Sequence, residues 1–529
     1  MDKLKIFLDK HSLSSHHLKS KQTPQLPINP VRDFPSEYDF YRYRKQRGVN
    51  LGSWFVLERW IADSPFRFAE QPGQSDHDVA KGSYGQNVLD RHWNDWIVEE
   101  DWQWISDRGI NTVRIPIAFY HLCGVDPSVL NGTDFAHLGS VFQGAWARIT
   151  SAIATAHRYG IGVLIDLHAA PGKQNADAHS GTSSPEVAFF SSSNMSHTKH
   201  ILTSLLINLT TYTRTHDPPL PNVVGIELIN EPNPPGGDHS ALKKWYRSTF
   251  EAMRRIDPDM PLYIGDSWRT SEYTEFITSL GSHASSESSS FVALDHHLYR
   301  CFTSQDASTS AAGHAQALRE SSPFSAAVPA LASAGAGLVV GEWSGALNPD
   351  SFRGTADEHA EKRNFVDAQL ALYERECAGW FYWTLKKQQG GDSGWAMRDA
   401  VAYGVFPSWV GTKANKDPRG DDGRQWRRDQ ARDQALSAHT GWWSKHPGHY
   451  EHWRFSEGFI CGWNDAYMLF SSPPTRGGSI PEIGFKGAWA KRRAAAHARE
   501  RGQGNLWEYE HGITQGIDAA KADFVQNYA

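Results

Sequence analysis

The chain has 529 residues, more than one typical domain, and 40% of them are hydrophobic, enough to fill a large core. Lys and Arg total 53 against 59 Asp and Glu, a net charge of −6, which argues against a nucleic-acid binder. No run approaches the roughly 20 apolar residues of a membrane span, and none of Cys123, Cys301, Cys377 and Cys461 forms the Cys-x-x-Cys pair of a zinc or thioredoxin-type site.

Residues 1–40 read as a polar leader with scattered prolines. The apolar stretch Ile6-Phe7-Leu8 is too short for a signal peptide. With so few cysteines, a reducing, cytoplasmic setting is favoured, secretion being the alternative. The sequons at Asn131, Asn194 and Asn208 are about what chance gives. A repeating alternation follows. Arg47–Leu51 is a short strand, and Asn87–Arg108 is a helix stopped by Gly109. Thr112–Ile117 is the next strand, then a helix over Val141–Tyr159 and a strand over Gly162–His168. A helix near Lys199–Arg214 precedes the run Val223–Pro232, and a helix near Ser240–Ile256 precedes Pro261–Asp266. Phe291–His297, Gly337–Trp343 and Gly379–Thr384 complete the strands, with helices over Ala326–Ser333 and Glu358–Cys377.

Roughly eight β/α units match a (β/α)8 barrel. An open doubly wound sheet would carry a glycine-rich phosphate loop after an early strand. The nearest match, Gly335-Ala336-Gly337, precedes a strand instead. The catalytic barrel is expected over residues 41–410. Gly411–Gly423 is polar and charged, and residues 411–529 read as a helical extension packed on the barrel. Within it Arg424–Ser437 is a solvated helix, and Glu457–Phe470, Gly487–Arg501 and Asn505–Asp523 carry helical and aromatic signals. Lys491-Arg492-Arg493 reads as a charged helix face rather than a nucleic-acid patch.

Two acids close apolar, strand-like runs: Glu231 after Val223–Asn230 and Glu342 after Gly337–Gly341. An acid there has no packing purpose. On one parallel barrel both emerge on the same face, where two carboxylates suit cleavage of a glycosidic bond. Alone, each could equally be a surface acid past a strand end. Glu58, Arg114, His168, Asn230, His297, Tyr299 and Trp383 also fall at or near strand ends. Glu342 as nucleophile must be ionised, with Arg114 favouring the charged form and Tyr299 donating to it. Glu231 as acid must carry a proton first, so burial and repulsion should raise its pKa. Asn230 is placed to bond a sugar 2-hydroxyl, the histidines to bond ring hydroxyls, and Trp383 to stack on the ring. The 21 Trp fit either core packing or such stacking.

The ordered segments Arg47–Glu58, Val113–Pro116, Asp166–Asn175, Asn230-Glu231-Pro232, Asp295–Tyr299, Gly341-Glu342-Trp343 and Trp380–Thr384 resemble glycoside hydrolase family 5, and within it the fungal exo-β-1,3-glucanases. The resemblance spans about Arg47 to Pro407. It implies a (β/α)8 barrel and retention of configuration, with Glu231 as acid/base and Glu342 as nucleophile. It assigns Glu58, Arg114, His168, Asn175, Asn230, His297, Tyr299, Phe302 and Trp383 to the sugar site. It implies no cofactor and no metal; a carbohydrate substrate and a monomer are expected. Where this chain has Asp177, the exo-glucanases commonly carry an aromatic that pinches the second glucose together with the one matching Phe302. Ser53 and Arg59 replace the usual Gly and Pro, and the stretch from about Gly411 is longer than in those enzymes.

The reading is a retaining exo-acting β-glucosidase on β-1,3-glucan or its oligosaccharides. The alternatives are a β-glycosidase on a small or lipid-linked glucoside and, disfavoured by retention of both acids, a non-catalytic carbohydrate-binding protein.

Overall fold

The computed structural model describes residues 34–281, 291–472 and 479–529. Most of the expected leader, residues 1–33, therefore lies outside the described residues. Its remainder does not dangle: Phe34 packs on Trp489 at 4.7 Å, and the helix Glu37–Tyr43 buries Tyr41 and Tyr43.

Eight parallel strands close into a barrel: β1 (Gln46–Asn50), β2 (Thr112–Ala118), β3 (Gly162–Ala169), β4 (Val223–Glu227), β5 (Leu262–Gly265), β6 (Val292–Arg300), β7 (Gly337–Leu347) and β8 (Gly379–Tyr382). Each pairs with the next, and β8 returns to β1 with Gln46 opposite Gly379. Their β-branched, apolar runs are buried on both faces, as a parallel sheet wrapped by helices requires. Gly48 is needed for closure, since a Cβ there would lie 2.2 Å from the Phe381 ring. Fold class and strand order follow the sequence-based expectation.

Local departures have identifiable causes. The single helix expected over Asn87–Arg108 is two, Gly85–Asp95 and Glu99–Ser106. The Trp54 indole donates to the Trp93 carbonyl at 2.9 Å, and the Asp101 carboxylate accepts from the Val98 amide, ending one helix and starting the next. Val141–Tyr159 likewise resolves into Gly139–Phe142 and Ala145–Arg158, interrupted at Gly144. Sequence periodicity missed Thr270–Gly281 after β5, and Ser304–Ser308 and Ala311–Glu320 in the β6–β7 crossover.

Among the described residues the extension holds four helices, Gly423–Trp443, His452–Phe470, Lys486–Arg501 and Leu506–Tyr528. The second and fourth touch backbone to backbone. A Cβ on Gly458 or Gly462 would meet the carbonyl oxygens of Tyr509 or Ile513 at 2.2 Å, so only glycine allows this approach. The extension closes the floor of the barrel. Phe485 stacks edge-on to Phe291 at 4.8 Å and joins Tyr43, Tyr263, Phe381 and Trp489 in one apolar cluster. Lys491, Arg492 and Arg493 pair with Glu510, Asp259 and Asp465. Also at the floor, buried Arg47 binds Glu374 at 2.8 and 2.9 Å and Glu482 at 2.8 Å. The four cysteines are unpaired.

Candidate active site

The site forms where the strands end. Alternation along a strand sends every second side chain to one face. Asp166 and His168 on β3 therefore share a face, as do Asp295 and His297 on β6. Arg114 of β2 is fully buried and reaches across the barrel. Its guanidinium contacts Glu227 at 2.7 Å, Glu342 at 2.9 Å, Asn230 at 2.9 Å, Asn50 at 3.0 Å and Asp166 at 3.1 Å. One cation thus faces three carboxylates. Burial, opposed by Arg114, leaves Asp166 pushed up to about 7 and Glu227 well above the carboxylate range. Gly341 is required beside this cluster, because its amide donates to Asp295 at 2.7 Å and a Cβ would lie 2.1 Å from that carboxylate.

Glu342 on β7 accepts from Arg114 at one oxygen and from the Tyr299 hydroxyl, at 2.9 Å, at the other. Glu231 lies four residues beyond β4 with φ of 44°, a left-handed backbone that an L-residue holds only when its surroundings impose it. The Asn175 amide holds its carbonyl at 3.2 Å. His297 Nδ1 joins the two acids, at 2.7 Å from Glu231 and 3.5 Å from Glu342, and an oxygen of each acid lies within 4.8 Å of the other.

The charge balance reverses one expectation. Sequence reasoning made Glu231 the acid with the raised pKa. Burial does push both acids up, but the His297 hydrogen bond and charge pull Glu231 down to about 2. Glu342 stays raised, since burial and the nearby Glu231 outweigh His297 and Arg114. His297 is held well above the usual histidine range, the charge of Glu342 and bonds to Asp295 and Glu231 overcoming its burial. The cause is positional: His297 sits closer to Glu231 than to Glu342.

A cleft of about 1000 Å³ opens over these acids. Of the residues expected in the sugar site, Glu58, His297, Tyr299, Phe302 and Trp383 line it beside the two acids. Arg114, His168, Asn175 and Asn230 are buried behind that wall. His168 donates its Nδ1–H to the Asp166 carboxylate at 2.6 Å and stacks on Trp383, rings 5.8 Å apart and 10° from parallel. Burial lowers its pKa well below the usual value, so the ring is neutral. Burial also pushes Glu58 up to about 8 against a 2.9 Å bond from the Trp60 indole, leaving a neutral carboxyl that can both donate and accept. The rim is aromatic, with exposed Trp60, Trp268 and Phe302 around Trp395.

Sequence reasoning did not single out Asn50, Asp166, Glu227 and Asp295 as parts of the site, nor Trp60, His179, Trp268 and Trp395 as lining. The first group was findable. Asp166 and Asp295 each stand two residues before a chosen histidine. The lining residues lie on loops, where no period reveals direction.

The chain matches the family model for cellulase (glycosyl hydrolase family 5) over residues 80–389. It also matches the model of the glucan 1,3-beta-glucosidase 3 C-terminal domain over residues 424–524. It is 30% identical to an uncharacterized glycosyl hydrolase of Saccharomyces cerevisiae, covering 94% of this chain and 95% of that one. It is 29% identical to glucan 1,3-beta-glucosidase 3 of Schizosaccharomyces pombe, covering 90% and 95%. A rutinosidase from Aspergillus niger shares the fold at a TM-score of 0.53 and 18% identity, covering 69% of this chain and 99% of that one.

Proposed function

The chain belongs to glycosyl hydrolase family 5 and is a glycoside hydrolase; from that premise we propose a retaining, exo-acting β-glucosidase that hydrolyses β-1,3-glucan or its oligosaccharides. One observation carries the mechanism: two carboxylates with oxygens within 4.8 Å, joined by one histidine. Retaining glycosidases place their acids about 5–5.5 Å apart, and inverting ones farther, to admit a water. Glu342 attacks the anomeric carbon while Glu231 gives its proton to the departing oxygen, forming a glycosyl ester and releasing the aglycone alcohol. Water then adds to the anomeric carbon as Glu231 takes its proton, and the ester bond breaks to free Glu342. A sugar seated over the acids displaces water, and the added burial favours the neutral form of Glu231. The His297 ring nitrogen, 2.7 Å away, is the nearest source of that proton.

Arg114 and Tyr299 hold Glu342 for attack, and Asn230, its Oδ1 held by Arg114, is assigned to the 2-hydroxyl. Glu58, His168 and His297 bind or orient the glucose, Trp383 stacks on it, and Asn175 fixes the loop bearing Glu231. Phe302 flanks the second subsite. The name of the Schizosaccharomyces pombe relative supports the 1,3-linkage and the glucosidase mode. The same reading divides the chain into a catalytic barrel over 41–410 and a floor-closing extension over 411–529. A second reading, a small or lipid-linked β-glucoside, is favoured by Asp177 at the cleft and by the apolar rim of Trp60, Trp268, Phe302 and Trp395. Laminari-oligosaccharides and β-glucosides with apolar aglycones, assayed in parallel, separate the two by kcat/KM.

Azide tests the roles. Glu231→Ala should still glycosylate on aryl glucosides with good leaving groups, and azide should give a product of retained configuration. Glu342→Ala should lose normal turnover, and any azide product should be inverted. The opposite pairing of variant and product reverses the assignment.

A further inference from the structure

His179 lies in the short turn Ala178–Ser180 on the wall of the cleft. It is not among the residues that the family resemblance assigns, and its side chain keeps some exposure, 16%. Its Nε2 atom stands 3.9 Å from Glu231 Oε2 and 3.9 Å from Asp177 Oδ2. The other oxygen of Glu231 is the one bound to His297, so His179 faces the oxygen left free for the glycosidic proton.

The same nitrogen has a partner of opposite kind. Asn175 Nδ2 lies 3.5 Å away and can only donate. As a neutral ring with Nε2 bare, His179 accepts from Asn175. As an imidazolium, it offers that N–H to the two carboxylates. The remaining titratable neighbours are His168, edge-on with rings 4.9 Å apart, and Glu58, whose ligating atom lies within 4.8 Å of those of His168 and His179. His168 is neutral in its bond to Asp166, and Glu58 is the buried carboxyl held by Trp60. Of these groups, His179 is the ring that stands 3.9 Å from the free oxygen of Glu231.

We propose that His179 is a positioning residue for Glu231: held between Asp177 and the free oxygen of the acid/base, its imidazole governs the pH at which that oxygen gives up its proton. The proposal rests on the role of Glu231 given above. A positive His179 stabilises the Glu231 carboxylate, which helps Glu231 activate water and hinders it as an acid. Removing the charge should raise the pKa of Glu231. A unit charge about 4 Å from a partly solvated carboxylate shifts it by roughly one unit.

The test is the pH profile of kcat, which reports the sugar-bound enzyme in which Glu231 carries its proton, for two substrates: phenyl β-glucoside, which needs an acid, and 2,4-dinitrophenyl β-glucoside, which does not. In His179→Gln the alkaline limb for the phenyl glucoside should move up by about one pH unit, while that for the dinitrophenyl glucoside stays where it was. His179→Lys, which keeps a cation, should return the limb toward its original position. A limb that does not move in His179→Gln, or that moves equally for both substrates, overturns the proposal, as does a lysine variant that behaves like the glutamine one. Glu231→Ala separates the two layers: it should lose phenyl glucoside turnover and keep dinitrophenyl glucoside glycosylation. Retained phenyl glucoside turnover would overturn the role of Glu231 itself, and the proposal with it.

Discussion

At the mouth of the barrel Arg114 faces three carboxylates, Asp166, Glu227 and Glu342, while at the floor Arg47 faces two, Glu374 and Glu482. Both arginines are at most 1% exposed. The floor adds further cations: Lys521 pairs with Glu482, and Lys45 lies 3.8 Å from Glu374. There burial is overcome, and both acids are pulled down to about 2. At the mouth burial wins, and Asp166 and Glu227 are pushed up. A balanced cluster fixes its charges and fastens the extension to the barrel. A cluster short of cations keeps protons that can move, which acid–base chemistry needs.

Exchanging each arginine for glutamine breaks the comparison most directly. Arg114→Gln removes a donor from Glu342 and should lower kcat/KM on an aryl glucoside by about 10³-fold or more. Arg47→Gln should leave the activity of the folded enzyme within about twofold. If both variants lose activity equally, the two ends are not separate in function.

Stability should respond in the reverse order. Arg47→Gln leaves buried Glu482 and half-buried Glu374 without their main partner, a loss of about 3 kcal/mol in urea unfolding. Arg114→Gln should cost less, because Asp166 and Glu227 can take up protons instead.

The pH dependence should have opposite signs at the two ends. Glu374 and Glu482 have folded pKa values of about 2, below their ordinary 4.5. Their contribution is complete above pH 4.5 and is lost as the pH falls toward 2. Asp166, at about 7 against an ordinary 3.8, does the reverse: its ionisation costs stability as the pH climbs from 3.8 through 7. The urea midpoint of Arg47→Gln should therefore fall less steeply below pH 4.5 than that of the parent. Asp166→Asn should flatten the decline up to pH 7.

The smallest effect concerns the rim alone. Aromatic stacking contributes on the order of 1 kcal/mol, so Asp177→Phe should lower KM for laminaritriose several-fold while barely changing an aryl glucoside. Unchanged laminaritriose kinetics would place Asp177 outside the second sugar subsite.

Much of this molecule was legible in order along the chain. Apolar runs such as Val223–Ile226 and Gly337–Val340 are strands because each buries both faces, a property of neighbouring residues. Glu231 and Glu342 stood out because charge at the end of such a run needs a reason other than packing. Helix breaks were not legible: the carbonyl of Trp93 is taken by Trp54, 39 positions earlier. Nor was the protonation of the acids. Arg114 reaches Glu342 across 228 positions, and His297 reaches Glu231 across 66. Hydrophobic burial follows local pattern, so the sequence by itself determined the barrel and the two acids that close its apolar runs, although Glu342 lies within β7 and Glu231 four residues beyond β4. Charge state depends on which groups meet in a low-dielectric interior, so only the tertiary structure decided that His297 holds Glu231, that three acids share Arg114, and that His179 stands at the free oxygen.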